Sequence, residues 1–380
     1  MEKNIVLLKS NFHKKGGLEK YAWRTAKAFA AKGMHVDILT TGKKEEFPSD
    51  DQIVFHPLQT CRWPGFRRIE QYDHFCTQWT EQNHSPLIFG MDRNRMQTHL
   101  RAGNGTHISY LHHRALFEGF WKRATIPFNP LHKTILQIEK ESFENPRLQK
   151  LIANSFMVKE EILRYYAVDE KKISVIHNGV EWHENENDFS LWFSQKKRVA
   201  QKLQLDPNLF HFLFIGHGYL RKGLTPLLHA LSRLPTRDFH LSVIGKEKKI
   251  KEFLSLTHKL HLEKNVSFFG PLEEILPFYQ LADCLVIPSF YDPFANVTVE
   301  ALAMGIFVVS SKTNGGHEIL SSSNGTIIEN ILDPDAMKES LLCAMNHPKT
   351  KESAEKIRLS IRHLDFSKQL ELLIQTTINP

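Results

Sequence analysis

Phe210-His211-Phe212-Leu213-Phe214-Ile215-Gly216 is a short apolar run ending in glycine, and Arg221-Lys222-Gly223 follows it closely. Leu224, Leu227, Leu228 and Leu231 then fall on one face at helical spacing, and Phe239-His240-Leu241-Ser242-Val243-Ile244-Gly245 repeats the apolar run. Runs of this length read as buried strands, and a helix between two of them makes the pair parallel. The same order occurs near the start of the chain. Asn4-Ile5-Val6-Leu7-Leu8 leads to a loop ending Lys14-Lys15-Gly16-Gly17. Leu18, Ala22, Thr25, Ala26 and Phe29 are spaced as a helix, Gly33 suits its C-terminal cap, and His35-Val36-Asp37-Ile38-Leu39 is the next strand. Parallel strands with crossover helices must be covered on both faces. The expected fold class is therefore α/β, with two Rossmann-like doubly wound domains.

Further strands are expected at 87–90, 151–153, 173–176, 266–269, 284–288 and 307–310. The polar stretch from His177 to Pro207 reads as the connection between domains. The expected division is an N-terminal domain over 1–176 and a C-terminal domain over 177–359. Phe366, Leu370 and Leu373 share a helical face, so a last helix at about 360–380 is expected to cover one of the two, most simply the first.

The chain has 380 residues, a length that suits two domains, each with its own core. Its apolar runs fall short of the roughly 20 residues of a membrane-spanning helix, and its start lacks the pattern of a signal peptide. A cytoplasmic location is expected. Cys61, Cys76, Cys284 and Cys343 are scattered without a CxxC pair, which points neither to disulfides nor to zinc. The net charge of +7 is lopsided: residues 1–150 hold 23 Lys and Arg against 15 Asp and Glu, and the remainder 26 against 27. A basic half suits a partner of negative potential.

In doubly wound sheets, ligands bind where strands end in glycine loops and helix N-termini. Gly16 and Gly17 form one such loop, and Gly216 with the cations Arg221 and Lys222 forms the other. Neither fits GxGxxG or the Walker pattern, so a dinucleotide dehydrogenase and a P-loop enzyme are disfavoured. The most specific segment runs from Pro288 to Gly305, with Asp292 in a loop and Glu300 eight positions on, inside an apolar helix. Ionised carboxylates accept hydrogen bonds only, which suits them to sugar hydroxyls.

This segment resembles the Glu-x7-Glu motif of retaining nucleotide-sugar glycosyltransferases of the GT-B fold, in the fourth sequence family, the glycosyl transferases of group 1. The likeness extends to the Gly-Gly loop, to Val175-Ile176-His177-Asn178-Gly179-Val180, to Arg221-Lys222-Gly223, and to Glu300-Ala301-Leu302-Ala303-Met304-Gly305. Here the first acid is Asp292, one methylene shorter than the usual Glu. The resemblance implies that Glu300 holds the donor ribose, that Asp292 with Phe294, Ala295 and Asn296 meets the transferred sugar, and that Arg221 and Lys222 meet the diphosphate. It implies a UDP- or GDP-sugar as substrate, with neither cofactor nor metal, and no acidic pair of the DxD type is found.

The run Asp92 to His107 is placed at the end of the 87–90 strand, with glycines flanking Asn104. The family has a His or an Asp near the transferred sugar at about this place, and His107 is preferred to Asp92. The short loops and this run look most like bacterial lipopolysaccharide core transferases. The family's acceptor lies on the N-terminal domain, where the excess charge lies. An anionic glycan or glycolipid acceptor is therefore expected, with peripheral attachment to an anionic membrane surface at the inner face of the cytoplasmic membrane. Arg62, Arg67, Arg68, Lys122 and Arg123 are the candidate contacts. A phosphorylase or epimerase of the same fold is the nearest alternative. A nucleic-acid-binding protein would explain the basic half, but no motif supports one.

Overall fold

The computed structural model describes residues 3–12, 17–41, 50–61 and 63–379. Gly16 and Arg62 lie outside these residues, as does the side chain of Lys122. The chain divides into two compact units, Met1–His177 with Gln369–Pro380, and Asn178–Lys368. The first holds strands β1 (Lys3–Asn11), β2 (Met34–Thr41), β3 (Ile53–Leu58), β4 (Ile88–Gly90), β5 (His99–Ala102), β6 (Lys150–Ala153) and β7 (Ile173–Val175). They form a parallel sheet in the order β3-β2-β1-β4-β5-β6-β7. The second holds β8 (Phe210–Ile215), β9 (Phe239–Ile244), β10 (Val266–Gly270), β11 (Cys284–Ile287), β12 (Phe307–Ser311) and β13 (Gly325–Ile328), in the parallel order β10-β9-β8-β11-β12-β13.

Side chains of a strand alternate between the faces of its sheet, and β1 makes the alternation visible. Ile5 and Leu7 pack with Ala22, Ala26 and Phe29 of the helix Gly17–Ala31. Val6 and Leu8 pack on the other face with Tyr72 and Cys76 of the helix Gly65–Gln82. Gly33 follows the first helix at φ +76°, the left-handed turn that glycine adopts at little cost. Leu373 and Ile374 of the last helix, Phe366–Ile378, join the cluster around Ile5 and Leu7. In the second unit Leu224, Leu227, Leu228 and Leu231 are all fully buried.

Three expectations are corrected. The stretch His177–Pro207 is not connection throughout: the division falls at its start, between His177 and Asn178, and the rest carries the helix Glu186–Lys202, anchored by buried Trp192, Val199 and Ala200. Anchors at i, i+7 and i+8 suffice for a helix whose remaining surface is polar. The run Asp92–His107 is no single loop, because β5 lies within it. His99 and Arg101 are buried there, and the glycines flanking Asn104 follow β5 rather than β4. Lastly β3, absent from the expected strands, contains Pro57, which is tolerated because β3 is an edge strand.

His211 and His240 are register partners on β8 and β9, with ring centroids 6.2 Å apart. His211 Nδ1 and His240 Nε2 are buried without a hydrogen-bond partner. Burial, and then the neighbouring His211, lowers His240 to about 4. A histidine lowered in the folded state contributes full stability above its ordinary value of about 6.5, and loses it as pH falls toward the folded value. Acidification from pH 7.5 to 5 is thus expected to cost the second unit on the order of 2 kcal/mol from His240 alone. Hydrogen exchange of peptides spanning 210–215 and 239–244 measures this. His240→Leu should flatten the pH dependence, and an unchanged slope would place the acid sensitivity elsewhere.

Candidate functional site

In the second unit the predicted residues gather at the carboxyl ends of β8 and β11. Past β8 the chain turns at Gly218 and Gly223, both at positive φ, and enters the helix Leu224–Ser232. A Cβ at Gly223 would stand 1.8 Å from the Pro288 carbonyl, so glycine alone allows the two loops to approach. Phe290 N–H donates to the Arg221 carbonyl at 2.9 Å, tying these loops together.

Two cations meet one carboxylate there. Lys222 Nζ donates to Asp292 Oδ2, and Arg221 Nη1 lies 3.7 Å from the same oxygen while donating to the Tyr291 carbonyl at 3.0 Å. Lys222 and Asp292 are both buried, at 8% and 9% exposure, which strengthens their attraction. The trio keeps one positive charge in excess, an arrangement able to receive a polyanion. Gly216, expected at the donor, also has a packing role. A Cβ at Gly216 would lie 2.9 Å from Lys222 Cγ, so this glycine makes room for the lysine stem.

The loop after β11 is fixed by a residue that sequence reasoning missed. Asn314 is fully buried, and its Oδ1 accepts from Ala295 N at 3.0 Å and from Gly316 N at 3.2 Å, while its Nδ2 donates to Ser310 Oγ at 2.9 Å. The Asp292 backbone is pinned by bonds to Thr313 O and from Gly315 N. Asn178 donates to Asn296 Oδ1 at 2.6 Å and to the Phe294 carbonyl at 3.3 Å. Glu300 lies on the second turn of the helix Asn296–Ala303, partly exposed, and its Oε2 accepts from Tyr279 O–H at 2.7 Å. Burial, and then Glu300 itself, pushes the Tyr279 phenol well above its ordinary value, so it remains a donor. Tyr279 carried no motif to single it out. Asn178 stood in a quoted segment without a role.

In the first unit Gly17 begins the helix Gly17–Ala31. Asp92 follows β4. Its Oδ1 accepts from Lys9 Nζ at 2.9 Å, and its Oδ2 from Ser10 N and Oγ at 2.6 and 2.7 Å. It lines a pocket of about 150 Å³ at the carboxyl ends of β1, β2 and β4. Asn11, Thr41, Arg68, Arg93 and Asn104 supply polar groups to that pocket, and Ile69, Ile135 and Ile138 apolar wall. His107 is the first residue of the helix His107–Phe117, capped by Thr106, and is buried. Burial, and then Arg93, His132 and Arg114, lower it to about 3, so it is neutral. His107 does not line this pocket; Asp92 does. Among the described residues no three His, Cys, Asp or Glu side chains come together as metal ligands.

A family model described as Glycosyl transferases group 1 matches residues 195–375, and one described as Glycosyltransferase Family 4 matches residues 15–183. The lipopolysaccharide glucosyltransferase WaaG of Escherichia coli (strain K12) is 23% identical over 338 residues, 87% of this chain and 86% of that protein. The crystal structure of a WaaG superimposes with a TM-score of 0.79 at 19% identity, over 99% of this chain and 100% of its own. Anabaena Alr3699/HepE in complex with UDP gives 0.71 at 17% identity, with both chains covered completely. These likenesses place the fold among GT-B proteins.

Proposed function

The chain belongs to the group 1 glycosyltransferases, and from that premise we propose that it transfers a hexose from a uridine diphosphate sugar to an anionic glycolipid, with retention of configuration. The observation that carries the donor half is the pairing of Arg221 and Lys222 with Asp292, eight positions before Glu300. HepE, a protein of the same fold, binds UDP, which supports uridine as the base. Glu300 accepts from the ribose hydroxyls. Asp292 and the backbone at Phe294, Ala295 and Asn296 receive the hexose. As the bond from the sugar to phosphate breaks, negative charge grows on the departing diphosphate. Arg221, Lys222 and the free N–H groups opening the helix Asn296–Ala303 stabilise it in place. His107 meets the transferred sugar, with Asp92 the second candidate. The chemistry of this donor set calls for no metal. A screen of UDP-, GDP- and ADP-sugars for hydrolysis without acceptor tests the reading, and a preference for GDP or ADP would overturn the uridine assignment.

The acceptor half rests on the pocket at Asp92. Arg68 is exposed at its edge and forms no ion pair among the described residues, leaving its charge for a phosphorylated or acidic sugar. Lipopolysaccharide, which the name of WaaG gives as what it acts on, fits that chemistry. Peripheral attachment is supported by the surface nearby. Trp63 is 84% exposed just before the helix Gly65–Gln82, and Phe128 is 79% exposed just before the helix Pro130–Phe143. A Cβ at Gly65 would touch Leu131, so the two helix starts adjoin. Exposed aromatic rings beside Arg67, Arg68 and Arg123 suit the interface of an anionic bilayer. Each basic residue near such a surface is worth about 1 kcal/mol and is screened by salt. Changing Arg67 and Arg68 to Glu should weaken flotation with anionic vesicles at least roughly thirtyfold at low ionic strength. Equal flotation by parent and variant would remove this surface from the reading.

A further inference from the structure

His107 is held at both its backbone and its ring. Its N–H donates to Glu139 Oε1 at 2.7 Å, and that fully buried carboxylate also accepts from Arg93 Nε and Tyr166 O–H. The peptide at the start of the helix therefore has little freedom. The ring is held from the other side. His107 Nε2 lies 3.0 Å from His132 Nδ1, and His132 Nε2 lies 3.0 Å from Arg114 Nη1. Arg114 is in turn anchored through Nε to Glu118 Oε2 at 2.7 Å.

The direction of this chain follows from its last member. A guanidinium only donates, so His132 Nε2 must accept, and a neutral His132 then carries its proton on Nδ1. That proton is donated to His107 Nε2, which leaves the proton of neutral His107 on Nδ1. The lowered value of His107 agrees with a neutral ring. His107 Nδ1 has no hydrogen-bond partner among the described residues.

We propose that Arg114 and His132 are positioning residues, which hold His107 in the Nδ1–H tautomer so that it presents a fixed hydrogen-bond donor to a hydroxyl oxygen of the transferred sugar. The role at the sugar rests on the reading given under Proposed function; the tautomer does not. With Nε2 already occupied, His107 orients the sugar by donating and takes no proton from it. The nearest analogue is a metal-binding histidine, whose second nitrogen is fixed by an outer partner.

The test uses the full chain labelled with ¹⁵N-histidine at pH 8, with His107 signals identified by their loss in His107→Gln. The parent should show His107 protonated on Nδ1. Arg114→Met frees His132 to reverse, so His107 should become a mixture of tautomers, and turnover should fall roughly tenfold, the worth of one ordinary hydrogen bond. The KM for the donor nucleotide should change little. His132→Leu should act likewise, whereas His132→Asn, whose amide supplies a donor where Nδ1 stood, should restore most of the rate. Arg114→Lys keeps a donor-only cation and serves as the second rescue should the leucine variant fold poorly. A parent His107 protonated on Nε2, or a tautomer unmoved in Arg114→Met, overturns the proposal. A tautomer that shifts with turnover unchanged upholds the relay and overturns the placement of His107 at the sugar.

Discussion

Replacing Arg221 and Lys222 together with alanine is expected to lower turnover by two to three orders of magnitude, the range seen when groups that stabilise developing charge are removed. Affinity for uridine alone should hardly change, since neither cation faces a base in the proposed arrangement. The double variant also leaves Asp292, 9% exposed, without a counter-charge. Breaking a buried pair from one side costs about 3 kcal/mol or more, so a lower melting temperature should accompany the loss. Adding Asp292→Asn separates the two effects. It removes the stranded charge and should recover stability, while turnover stays low because no cation has returned. Single-turnover transfer at the parent rate in the double variant would exclude these residues from leaving-group stabilisation.

Glu300→Gln is expected to raise the dissociation constant for UDP ten- to a hundredfold, because hydrogen bonds to a charged acceptor are worth about 1.5–3 kcal/mol. The fold should be unaffected, as Gln retains an oxygen for the Tyr279 hydroxyl, which donates to Glu300 at 2.7 Å. Tyr279→Phe provides a graded comparison: the carboxylate stays but loses its orienting partner, so binding should weaken by less. Calorimetry with UDP and with uridine monophosphate reads both variants. Undiminished affinity of Glu300→Gln for both ligands would show that the carboxylate does not hold the ribose.

What could be read from the sequence was what neighbouring residues determine together. Phe210–Ile215 is legible as a strand because every residue but one is apolar, and Leu224 to Leu231 as a helix because their spacing repeats. β5 was not, since His99 and Arg101 make its buried face look polar, and their partners are set by the tertiary fold. The helix Glu186–Lys202 hid for the opposite reason: its three buried anchors are outnumbered by polar residues. The same division runs through the site. Arg221, Lys222, Asp292 and Glu300 stand in contiguous motifs and were found. That Lys222 closes on Asp292, 70 positions away, could not be seen. Nor could Asn314 or Tyr279, whose importance lies wholly in the loop and the carboxylate they hold.

The packing of Leu373 and Ile374 against Ile5, Leu7 and Phe29 bears on the order of events at the ribosome. The first unit is synthesised before the second, yet part of its own core is translated only after residue 368. At roughly 5–20 residues per second, the 191 residues of the second unit keep that apolar seam uncovered for about 10–40 seconds. Through that interval the nascent first unit offers a hydrophobic face to chaperones and to neighbouring chains. A stop codon before Gln369 makes the interval permanent, so such a truncation should accumulate as aggregate even though every strand of both sheets is present.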